Sequence, residues 1–101
     1  MFYRLEKLHL LRDGYQRAFR IGRHELLLIQ DEGQVHLIEN RCPHMDAPLT
    51  MASVAAGVIR CPMHGIEFDL HTGEGRTPAP ITPIKRYIPI YEGNTIGVDL
   101  D

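Results

Sequence analysis

The chain has 101 residues, of which 44% are hydrophobic and 24% charged, and its formal net charge is -2. That suits one globular unit with a modest core and excludes the basic excess of a nucleic-acid-binding protein. The longest wholly apolar run of the first half, residues 26–29, falls far short of the ~20 residues of a membrane span. The start, "MFYRLEKLHLL", mixes charges into its apolar pattern and has no small-residue cleavage site, so a cytoplasmic address with no membrane association is expected. In a reducing compartment, two cysteines point to metal ligands or reactive thiols rather than to a disulfide.

In chain order, residues 4–12 carry Leu5, Leu8 and Leu11 at helical spacing, with Gly14 placed to stop a short helix. The run is short enough to be a strand and a turn instead. "RAFRIG" and "ELLLIQ" are apolar-rich runs broken by "GRH". "DEG", at 31–33, is a turn signal, and "QVHLIE" after it reads as a strand, although His36 and Ile38 spoil a clean alternation. Residues 25–30 and 34–39 together predict a hairpin with a short Gly-containing loop. From 41 to about 82 the chain is rich in Pro, Gly, Met and His, and both cysteines lie there. Within that segment "MASVAAGVI", at 51–59, is uncharged and reads as core and turn. Beyond it, "KRYIPIYE" and "NTIGVDL" predict a second hairpin around Gly93 and Asn94, with Pro89 marking an edge strand or a bulge. The fold class is all-β: a small antiparallel barrel or sandwich over residues 1–101, a single domain, with a loop-rich subdomain at about 41–82.

The chemistry gathers in "RCPHMDAPL", at 41–49, and "RCPMHG", at 60–65. The ligand candidates are Cys42 and His44, then Cys61 and His64, each half offering one thiolate and one imidazole. Three readings are open. Two Cys-Pro units, each with a nearby His, are hard to reach by chance. A structural zinc site favours two Cys close together and two His close together, whereas here the types alternate. A [2Fe–2S] cluster with two Cys on one iron and two His on the other accommodates the alternation.

These two boxes resemble those of the Rieske ferredoxins. "FDLHTGEG", at 68–75, resembles the strand and turn after the second box, and "TPAP", at 77–80, the proline loop that covers the cluster in that family. The likeness extends more weakly from about Leu5 to the C-terminus. The resemblance implies one [2Fe–2S] cluster per chain, with Cys42 and Cys61 on one iron and His44 and His64 on the other. It also implies that Gly65 lets the second loop turn tightly and that Pro43 and Pro62 stiffen the loops. Respiratory members of the family carry an inter-loop disulfide and sulfur-directed hydroxyls. The matching positions here hold Ala47 and Met63, and Ile66 and Phe68. Hydrogen bonds to sulfur favour the reduced cluster, so their loss predicts a potential near the low end of the Rieske range, on the order of -150 mV.

No nicotinamide or flavin fingerprint is present, and no residues remain for a mononuclear iron domain. The resemblance therefore implies a soluble one-electron carrier with no catalytic residue of its own. It would pass electrons from a flavin-containing ferredoxin reductase to a terminal oxygenase, such as an aromatic-ring-hydroxylating dioxygenase. A monomer is expected, docking transiently near His44 and His64, with Met45, Asp46, Met63 and Pro80 as the rim. The rival readings are a Rieske-like small subunit of an assimilatory nitrite reductase and a redox-sensing module. His9, His24, His36 and His71 have no ligand-like spacing and read as surface or strand histidines. Arg41 and Arg60, each preceding a cysteine, read as solvated or paired residues.

Overall fold

Leu26, Leu27, Leu28 and Ile29 are consecutive, and all are buried. A strand turns successive side chains to opposite faces, so such a run belongs to a sheet that is covered on both sides. The structure, a computed structural model, describes residues 1–44 and 46–101; Met45, expected on the docking rim, lies outside the described residues. Its strands are β1 Phe2–Lys7, β2 Gln16–Ile21, β3 His24–Asp31, β4 Gln34–Glu39, β5 Ser53–Ala55, β6 Val58–Arg60, β7 Glu67–Asp69, β8 Arg86–Tyr87, β9 Ile90–Glu92 and β10 Thr95–Asp99. They form three antiparallel sheets, ordered β1-β10-β9, β2-β3-β4-β8 and β5-β6-β7.

The second of these is the central layer. Leu26 and Leu28 of β3 and Leu37 of β4 pack with Ile96 and Val98 of β10. Leu27 and Ile29, with Ile38, face the other way and pack with Ile59 of β6 and Phe68 of β7. The blurred alternation of β4 follows from this: both faces are buried. The second face includes Cys42 and Cys61, so the all-β frame seats the two ligand boxes directly on its core.

Two sequence expectations need correction. Residues 4–12 form no α-helix: β1 is followed by a single 3-10 turn, Leu8–Leu10. Leu5, Leu8 and Leu11 do pack on the β3–β10 core, but a strand and a tight turn place them there, so the spacing recorded core contact rather than helix. "KRYIPIYE" is not one strand. Tyr87 and Arg86 pair with Leu37 and Ile38 of the central sheet, whereas β9 pairs with β10. The chain changes sheets at Ile88 and Pro89, where proline has no N–H to offer a ladder. The hairpin at 93–94 stands as expected, as does that of β3 and β4. "MASVAAGVI" holds the β5–β6 hairpin, whose turn is tied to the end of β3 by the Gly57 N–H donating to Asp31 Oδ2 at 2.8 Å.

Candidate metal centre

The first ligand loop leaves β4 and the second joins β6 to β7. Their backbones close in the same way. The Cys42 N–H donates to the Ala47 carbonyl (2.7 Å), and the Asp46 N–H returns to the Cys42 carbonyl (2.7 Å). The Cys61 N–H donates to the Ile66 carbonyl (2.9 Å), and the Gly65 N–H returns to the Cys61 carbonyl (2.8 Å). In both loops the residue four places after the cysteine is left-handed: Asp46 has φ +56° and Gly65 φ +70°. Asp is among the residues that tolerate this region, so one glycine and one aspartate do the same geometric work. The tight turn expected at Gly65 is present, and Asp46 is its unforeseen counterpart.

Matched loops sort the four candidates into two tiers. Cys42 and Cys61 are fully buried. His44 and His64 are exposed, and their rings meet edge to face with centroids 5.6 Å apart. Among the described residues, no three His, Cys, Asp or Glu side chains converge as one bound ion requires. Two buried cysteines and two exposed histidines would offer two thiolates and two imidazoles, and this donor chemistry fits a [2Fe–2S] cluster.

The surroundings of the loops separate the remaining expectations. Phe68 is fully buried, while Ile66 packs from the side of the same core; neither carries a hydroxyl. Met63 is 67% exposed, so it points to solvent instead of packing the loops together. Asp46 and Pro80 are exposed as well. Arg41 is paired, to Glu39 at 3.3 Å and Asp46 at 3.4 Å. Arg60 is not in an ion pair among the described residues; its guanidinium lies against Gly65, where Nη2 would stand 3.0 Å from a Cβ.

Sequence reasoning missed the groups that hold the first loop at its base. Asn40 Oδ1 accepts the Leu49 N–H and Asn40 Nδ2 donates to Thr50 Oγ1, both at 2.8 Å. Gln16 Nε2, reaching across from β2, donates to the Thr50 carbonyl at 2.8 Å and the Ala52 carbonyl at 3.1 Å. Loop Asn is a general signal for side-chain-to-backbone bonding, but only folding identifies its partner. Also missed was the pairing of His36 with His71. His36, on β4, is buried, its Nε2 has no hydrogen-bond partner among the described residues, and the His71 ring stands edge-on at 5.0 Å. Burial, then the neighbouring His71, pushes the His36 pKa below its ordinary value.

Comparison with known proteins adds to this geometry. The ferredoxin component of the alkene monooxygenase system of Xanthobacter autotrophicus is 35% identical over 70 residues, covering 68% of this chain and 57% of that protein. Apoptosis-inducing factor 3 of Mus musculus is 38% identical over 64 residues, covering 63% of this chain and 11% of that protein. The chain thus spans about a tenth of one relative and little more than half of the other. Among solved structures, the ferredoxin of carbazole 1,9a-dioxygenase from Nocardioides aromaticivorans superposes with a TM-score of 0.83 at 30% identity, covering 96% of this chain and 95% of that one. The sequence model of the Rieske [2Fe-2S] domain matches residues 1–90. With both ligand boxes inside that match, the chain belongs to the Rieske [2Fe-2S] domain family, and a [2Fe–2S] cluster is its cofactor.

Proposed function

We propose that the protein is a one-electron carrier whose cluster is held by Cys42 and Cys61 on the inner iron and by His44 and His64 on the outer one. When bound, the cluster supplies reversible uptake and release of a single electron. The observation that carries this reading is the two-tier donor set: buried sulfurs, and imidazoles exposed in edge-to-face contact. Burial of the cysteines would keep water and thiol reagents from the sulfur side of the bound cluster. Exposure of the histidines would make their rings the short way out for an electron, and Pro62 and Met63, just before His64 in sequence, are exposed as well.

A transient partner would dock over that face. The names of the relatives favour a terminal oxygenase as acceptor, such as an aromatic-ring-hydroxylating dioxygenase; a flavin reductase would be the donor. The protein would act as a monomer in the cytoplasm, with one domain over 1–101 and its cluster-binding part at about 41–82. The absence of hydroxyls at Ile66 and Phe68 supports a potential near the low end of the Rieske range, on the order of -150 mV. The test is absorption and EPR spectroscopy of the purified protein, then reduction by NADH through a flavin reductase. A reduced [2Fe–2S] signal with mixed Cys and His ligation, formed within one turnover of the reductase, is expected. Colourless protein carrying zinc would overturn the cluster assignment, and a cluster no reductase can reduce would overturn the carrier role.

A further inference from the structure

The two ligand loops share a backbone but differ in how their arginines are used. Each arginine directly precedes a ligand cysteine, and each reaches the left-handed residue of its own loop. Arg41 meets a carboxylate there, Asp46, and a second one, Glu39. Arg60 meets Gly65, which has no side chain. Built at Gly65, a Cβ would lie 3.0 Å from Nη2, 3.2 Å from Nε and 3.5 Å from Cζ of Arg60. With Nη2 and Nε nearer than Cζ, the guanidinium turns its Nε–Nη2 edge toward the glycine. Gly65 is favoured by its φ of +70°, and the guanidinium edge occupies the space where a side chain would stand.

Arg60 is also electrostatically unspent. Glu67 stands opposite it across β6 and β7 and lines the same groove, as does Arg76. Yet among the described residues neither arginine is within ion-pair distance of a carboxylate, whereas Arg41 has two. The loop bearing His64 thus carries an arginine with no carboxylate in direct contact among the described residues, and the loop bearing His44 one with two.

We propose that Arg60 is the positioning residue of the second ligand loop: its guanidinium edge, set against Gly65, holds the turn that carries His64 and supplies a positive charge that favours the reduced state of the bound cluster. The proposal rests on the cluster reading above. One electron enters on reduction and no proton need move, so the charge acts on the electron-transfer equilibrium alone. A unit charge beside a partly exposed site changes such an equilibrium by a few-fold up to about tenfold.

The test is a one-electron potentiometric titration of the holoprotein, followed by EPR, for wild type, R60Q, R60K and R20Q. Arg60 is exposed, so R60Q removes a charge without opening a cavity. At a fixed potential, R60Q is expected to lower the reduced-to-oxidised ratio three- to tenfold, about 30 to 60 mV for a one-electron couple. R60K should restore at least half of that shift, because the charge returns without the two-nitrogen edge. R20Q, on the exposed side of β2 in another sheet, should leave the potential unchanged. The R60Q EPR signal should broaden as the turn carrying His64 loses its cover. An unchanged R60Q potential, equal shifts in R60Q and R20Q, or equal shifts in R60Q and R60K would each overturn the proposal. A wild-type protein without a reduced [2Fe–2S] signal would instead overturn the cluster reading on which it rests.

Discussion

Replacing Asn40 by alanine should unfasten the first ligand loop at its base. The side chain makes two 2.8 Å hydrogen bonds, accepting from the Leu49 N–H and donating to Thr50 Oγ1, and both are partly buried. In N40A the Leu49 N–H, next to a fully buried leucine side chain, is left without its partner, at a cost of roughly 1–3 kcal/mol. Loss of the Thr50 bond adds about 0.5–1.5 kcal/mol, since the hydroxyl can turn to water. The sum is roughly 1.5–4.5 kcal/mol, a large share of the ~5–15 kcal/mol that holds a small domain folded. At about 4–8 °C per kcal/mol for a chain of this size, the unfolding midpoint falls by roughly 6–36 °C. The assay is thermal unfolding of the loaded protein, followed by far-ultraviolet and visible circular dichroism. N40D should recover most of the loss: its carboxylate still accepts the Leu49 N–H, and the Thr50 hydroxyl can donate to it. If N40A melts within about 3 °C of wild type, the side chain does not hold the loop and the reasoning fails.

His64→Cys replaces a neutral imidazole by a thiolate. The added negative charge should move the potential from the Rieske range toward the roughly -400 mV of all-cysteine ferredoxins, and an equal or higher measured potential would contradict the assignment of His64. His36 gives a pH dependence. Its pKa is depressed, by burial first and by His71 second, below the ordinary 6.5. As pH falls through that value the unfolded chain takes up the proton first, so stability is full above about pH 6.5 and declines below it. Melting midpoints from pH 8 to pH 5 should therefore slope less steeply in H36L than in wild type; parallel curves would show that His36 does not titrate in this way. Phe68→Ala should cost about 3–5 kcal/mol, because the ring is fully buried in the core that also contains Cys42 and Cys61. Denaturant unfolding together with iron content should show destabilised protein that loses iron; an unchanged midpoint would remove Phe68 from the core that seats the loops.

Much of the site could be read directly from "RCPHMDAPL" and "RCPMHG", because ligand identity is a property of side-chain chemistry and local spacing. Much of the β frame was legible as well: the turn at 31–33 and the glycine at 93 mark hairpins through backbone rules that act over a few residues. Residues 4–12 were harder. Leucines at 5, 8 and 11 satisfy a helix and a strand-plus-turn equally, and the choice depends on pairing with β10, far along the chain. The split of "KRYIPIYE" between two sheets has the same origin, since Pro89 announces a break without saying which sheet each half will join.

The sequence by itself determined the donor types, their distribution over two boxes, and the absence of a second cysteine pair or of hydroxyls beside them. Tertiary structure alone decided which donors are buried and which exposed, because that depends on how the loops sit on the central sheet. It also decided that Asn40 and Gln16 hold the first loop, that the Arg60 guanidinium lies against Gly65, and that His36 meets His71. Gln16 reaches the loop from a distant strand and His36 meets His71 from another element, while Asn40 and Arg60 close contacts within their own ligand loops. Their energy exists only once the chain has closed those separations, so no local pattern of residues carries it.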